Sequence, residues 1–129
     1  MLFHFYSAEQ MMYCETRHEN KVLIVSIASH ETHFALAHEL RTTVFQHIDN
    51  GERRMLVDLS RCEFIDSTFL GVLVGSAKKM NAAQGEFKLA GLGKNARRLL
   101  QLTNLNRVFE AYENRQEALA AFYNCREVF

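Results

Sequence analysis

The chain has 129 residues, 48% of them hydrophobic and 23% charged, and its 15 basic and 15 acidic residues give a formal net charge of zero. A chain of this size is expected to form one domain with a core of its own, and the absence of a basic excess argues against nucleic acid as a partner. Apolar runs such as 22–25 and 72–74 are far too short to span a bilayer, and the aromatic N-terminus lacks a signal peptide's basic and unbroken apolar regions, so the expected location is cytoplasmic.

No proline and no Gly/Ser-rich linker interrupts the sequence, so no internal domain boundary is predicted. Residues 11–17 mix apolar and polar side chains. Residues 21–28 are dense in β-branched side chains (Val22, Ile24, Val25, Ile27). Both read as strands, joined by a turn at Glu19-Asn20. A helix over 32–47 follows, with Phe34, Ala37, Leu40, Val44 and Ile48 as its apolar stripe and Asn50-Gly51 as its stop. The third strand, 54–60, contains Asp58, an unexpected charge for a buried strand that is best placed near the strand's C-terminal end.

A loop, 61–66, leads into a second helix over 67–82 with a core stripe of Leu70, Leu73, Val74, Ala77 and Met80, closed by Gln84-Gly85. A fourth strand spans 86–92, with Phe87 and Leu89 on one face. A third helix, 94–102, is expected to turn Leu99 and Leu102 inward. Val108-Phe109 would form a short fifth strand, and 114–125 a closing helix built on Ala118, Leu119 and Phe122. Strands alternating with helices need crossover connections and so a largely parallel sheet. Function in such sheets collects beyond the carboxyl ends of the strands, which directs attention to Asp66-Ser67-Thr68.

Asp, Ser and Thr are good N-cap residues, because their side-chain oxygens accept the free N–H groups of the first helical turn. The triplet is therefore either a helix cap and nothing more, or a site where a phosphate would suit the unpaired N–H groups and the positive end of the helix dipole. A phosphorylated Ser67 would carry about −1.5 to −2 charge at neutral pH. Desolvating that charge in an interface costs several kcal/mol, and about 1.4 kcal/mol is already tenfold in affinity. Ser67, Gly71 and Gly75 share one helix face. Glycine costs about 1 kcal/mol in a helix interior, so the pair implies either close packing within the fold or a flat surface for another backbone.

The runs 55–60, Met-Leu-Val-Asp-Leu-Ser, and 64–75, Phe-Ile-Asp-Ser-Thr-Phe-Leu-Gly-Val-Leu-Val-Gly, resemble the central motif of STAS domains of the anti-sigma factor antagonist kind. The runs 87–92 and 96–109 are similar to the family's fourth strand and third helix, and Glu117-Ala118-Leu119 to its last helix. The resemblance covers residues 11–122 and implies an α/β fold: a four- or five-stranded mixed sheet, largely parallel, with about four helices packed mainly on one face. It divides the chain into an N-terminal extension, 1–10, whose Phe3, Phe5 and Tyr6 are placed over one sheet edge, and a STAS domain over 11–129. It makes Ser67 the phosphoacceptor, with Thr68 as second choice, and Asp66, Ser67, Thr68, Phe69, Gly71 and Gly75 the switch loop and partner-binding surface. The implied partners are a serine-kinase anti-sigma factor, bound while Ser67 is unmodified, and a metal-dependent serine phosphatase. Phe69 departs from the pattern, standing where the family has Gly, and is either an exposed anchor or a core plug.

Enzymatic chemistry is not expected. His30, His33 and His38 form no i, i+4 metal pair, Ser67 has no Gly-x-Ser-x-Gly elbow, and Gly91-Leu92-Gly93 is no phosphate-binding fingerprint. Arg97-Arg98 reads as a solvated face. Neither metal nor cofactor is expected. Cys14, Cys62 and Cys125, far apart and without a CxxC pair, read as reduced thiols. The alternative function is that of an accessory STAS subunit docking on the ATPase of a lipid-transport ABC system.

Overall fold

β-branched residues at alternate positions let one strand feed two cores. In β2 (Val22–Ile27), Leu23, Val25 and Ile27 face one way and Val22 and Ile24 the other, all of them buried. The computed structural model describes residues 12–127, with side chains as far as Tyr123; Phe3, Phe5, Tyr6 and the Cys125 side chain lie outside these. β1 (Cys14–Glu19) pairs antiparallel with β2. Their connection is Asn20 and Lys21, with φ of 53° and 70°, a primed turn whose twist suits a hairpin and which sits one residue later than the sequence suggests.

α1 (Phe34–Asp49), β3 (Arg54–Asp58), α2 (Ser67–Ala82), β4 (Glu86–Ala90), α3 (Lys94–Leu102), a 3-10 turn (Leu105–Arg107), β5 (Glu110–Tyr112) and α4 (Arg115–Glu127) follow. The strands lie in the order β1-β2-β3-β4-β5, with every pair after the hairpin parallel. Because the sheet grows in one direction and parallel crossovers are right-handed, the three crossover helices fall on one face. α1, α2 and α3 bury Leu40, Val44, Leu73, Met80 and Leu100 against Leu23, Val25, Met55, Val57 and Leu89. The other face is covered by α4, whose Ala118, Leu119 and Phe122 meet Val22, Ile24, Leu56 and Ala90.

Three expectations are corrected. Phe34 is 79% exposed; α1 begins there, two residues later than expected, and its inward stripe is Leu36, Leu40, Val44 and Ile48 at intervals of four. Leu102 is 74% exposed, and α3 turns Ala96 and Leu100 into the core, with Leu99 packed against it. The fifth strand is Glu110–Tyr112, not Val108-Phe109: Phe109 closes the core beneath it while Val108 is exposed.

Candidate functional site

Asp58 ends β3 and is nearly buried. Its Oδ1 accepts the Ser60 N–H (3.0 Å) and the Ser60 hydroxyl, and its Oδ2 accepts Arg115 Nε at 2.9 Å. Burial pushes the carboxyl pKa up, but the Ser60 hydrogen bonds and the Arg115 guanidinium outweigh it and hold the pKa below the ordinary value. The chain turns here under β4: the Leu59 N–H donates to the Ala90 carbonyl at 2.8 Å. Gly91, at φ 76°, lies so close that a Cβ would stand 2.8 Å from the Ser60 nitrogen, a position only glycine tolerates.

The loop from Arg61 to Asp66 is tied to the segment ahead of α1. The Glu63 N–H donates to the His30 carbonyl (2.7 Å), the Thr32 N–H to the Phe64 carbonyl (3.0 Å), and the Asp66 N–H to the Thr32 hydroxyl (2.8 Å). Cys62 is buried within the loop, and burial raises its thiol pKa to about 11, so the thiol stays protonated. Asp66 then caps α2, its Oδ1 accepting the Phe69 N–H at 2.8 Å.

This scaffold fixes which first-turn side chains face out. Ser67 and Thr68 are exposed, and the Ser67 hydroxyl has no hydrogen-bond partner among the described residues. Phe69 is fully buried and belongs to the core between α2 and the sheet. Its assignment to the partner-binding surface is corrected: the ring is the core plug, and it reaches a partner only through the position of α2. Gly71 is exposed, and a Cβ added to it would meet nothing within 4 Å; one added to Gly75 would reach the Phe45 ring at 4.0 Å. Close packing within the fold therefore does not account for these glycines.

Two aromatic residues that sequence reasoning missed flank this end. Phe34 at the start of α1 is 79% exposed and Phe64 in the loop 46% exposed, the latter edge-on to His30 at 5.5 Å. The helical spacing places Phe34 in the core stripe, and nothing local marks Phe64 as exposed. No group of three or more metal-ligating side chains occurs among the described residues, and no helix there is long and apolar enough to cross a membrane.

The STAS domain family model matches residues 13–118. A Bordetella bronchiseptica protein described as a candidate anti-sigma factor antagonist, BtrV, is 33% identical over 88 residues, 68% of this chain and 76% of its own. The anti-sigma F factor antagonist of Paenibacillus polymyxa is 28% identical over 110 residues, 81% of this chain and 90% of its own. The crystal structure of a candidate anti-sigma factor antagonist from Thermotoga maritima superposes with a TM-score of 0.78 at 27% identity, covering 88% of this chain and 97% of that one. With the sheet order, the capped α2 and the Asp-Ser-Thr turn all in place, the chain belongs to the STAS domain family, among proteins named as anti-sigma factor antagonists.

Proposed function

We propose that this protein is a non-enzymatic, phosphorylation-switched interaction module: an anti-sigma factor antagonist that binds a serine-kinase anti-sigma factor while Ser67 is unmodified and is released once Ser67 is phosphorylated. The observation that carries this reading is an exposed, unengaged hydroxyl on the first residue of α2, one turn from the open Gly71. A bare glycine lets a partner's backbone approach closely, and the exposed Phe34 and Phe64 offer apolar contact. A neutral hydroxyl enters such a contact at little cost. A phosphate dianion brings a charge that must be desolvated or repelled, enough to separate the partners at a few kcal/mol. In this reading a metal-dependent serine phosphatase resets the switch in the cytoplasm.

The test starts from affinity capture on the unmodified chain in its host's lysate. Incubation of the full chain with the captured kinase and ATP adds one phosphate, and Ser67→Ala abolishes it; labelling that persists in this variant moves the acceptor to Thr68 or elsewhere. In calorimetry, Ser67→Asp weakens kinase binding about tenfold or more with unchanged circular dichroism, and equal affinity would exclude the charge mechanism. Capture of an ABC-system ATPase with no kinase assigns the alternative transport role instead.

A further inference from the structure

On the α4 face of the sheet, away from the exposed side of α2, lies a cavity of about 250 Å3 lined by Glu15, Thr16, Arg17, Ser26, Arg61 and Arg115. Its position follows from the fold. α4 lies over β3, β4 and β5 and reaches Val22 and Ile24 of β2, which leaves a strip made of β1 and the Ser26 end of β2 uncovered on that face. The register puts Glu15 of this strip beside Ser26 and Arg17 beside Ile24. Arg61 enters from the loop after β3 and Arg115 from the first residue of α4.

Three guanidinium groups from three separate elements thus converge on one small space. Each has one carboxylate neighbour: Arg17 with Glu19 at 2.8 Å, Arg61 with Glu15 at 2.9 Å, and Arg115 with Asp58 at 2.8 Å. The pairs differ in kind. Arg17 and Arg61 are more than half exposed, as is Glu15, whereas Asp58 is 8% exposed. Exposed pairs contribute little and exchange readily, so Glu15 and Glu19 can swing into water when a stronger anion arrives. The Arg115–Asp58 pair stays as a fixed wall. Arg115 spends Nε on Asp58 and Nη2 on Asp58 and Ser26 Oγ, and its Nη1 has no partner among the described residues. Arg17 and Arg61 each engage a carboxylate through Nη2, leaving the other donors of both forks unengaged among the described residues. Ser26 Oγ accepts from Arg115 and keeps its own proton to donate.

We propose that this cavity is a binding site for a phosphate group, held by the forks of Arg17 and Arg61, by Arg115 Nη1 and by the Ser26 hydroxyl. Tetrahedral oxyanions match guanidinium forks in charge and geometry, and the volume lies below the ~300–1,000 Å3 of drug-sized sites, which suits a compact ligand. The site is independent of the Ser67 switch. The ligand is either inorganic phosphate or the phosphate of a small phosphomonoester.

The test is a two-dimensional NMR titration of the full chain with sodium phosphate, and separately with ribose 5-phosphate, at constant ionic strength. Saturable shifts confined to residues 15–17, 26, 61 and 115 are expected. Arg17→Ala and Arg61→Ala, both at exposed side chains, should each weaken binding about tenfold; Arg107→Ala, an equal charge change elsewhere, should leave it unaltered. Tighter binding of ribose 5-phosphate makes the ligand a phosphomonoester, and equal or weaker binding makes it the inorganic ion. The proposal is overturned if neither probe saturates at millimolar concentration, or if the Arg17→Ala/Arg61→Ala double variant, with unchanged circular dichroism, binds as well as the parent.

Discussion

Gly71 and Phe69 sit two positions apart on α2 and are held by opposite constraints. Because nothing lies within 4 Å of where a Gly71 side chain would start, Gly71→Ala should stabilise the fold by about 0.5–1 kcal/mol through helix propensity, read as a higher midpoint in urea. The same change should weaken kinase binding if a partner's backbone rests there; a stabilised variant with undiminished affinity would remove Gly71 from the contact. Phe69 is fully buried, so Phe69→Ala should cost about 3–5 kcal/mol. Were it instead to leave the midpoint unmoved and abolish kinase binding, the ring would act at the surface after all. Phe34 and Phe69 also mark how far local sequence reaches. Asp66 is a strong cap, and it fixes the start of α2 and hence the outward direction of Ser67 and Thr68. α1 is capped by His33, whose Nδ1 accepts the Leu36 N–H at 3.3 Å. Histidine is a weak cap signal, so the phase of that helix, and with it the exposure of Phe34, was not legible.

At the scale of the elements, α4 is held by charge as well as by apolar contact. Arg115 joins it to Asp58 and Ser26. Beneath it the buried Lys88 pairs with Glu110 and lies 5.0 Å from the centre of the Phe122 ring. The folded pKa of Asp58 lies below the ordinary carboxylate value. Its contribution to stability is therefore complete above the unfolded value and is lost as pH falls through the folded one. Urea denaturation should show a loss of stability below about pH 4 that is shallower in Asp58→Asn; an identical acid limb in that variant would remove Asp58 from the cause. The sequence marked Asp58 as anomalous and placed it at the strand end, but its partner lies 57 residues away and no local pattern could supply it. β5 was misplaced for a related reason: a three-residue edge strand is defined by its pairing with β4, not by its own propensity.

At the scale of the molecule, the alternation of strands and helices carried the parallel sheet and the shared face of α1, α2 and α3, because handedness leaves little choice once strand order runs one way. The register of the hairpin, the open strip beside α4 and the meeting of three arginines there depend on contacts remote in sequence. The strand order also bears on synthesis. Each β-α unit docks on the one made just before it, so no later strand must thread between earlier ones, and the sheet can grow by accretion as the chain leaves the ribosome. The exception is α4: until residues 115–127 have emerged, Val22, Ile24 and Leu56 remain a bare apolar surface, and a nascent chain stalled at that point is the form most open to capture by chaperones.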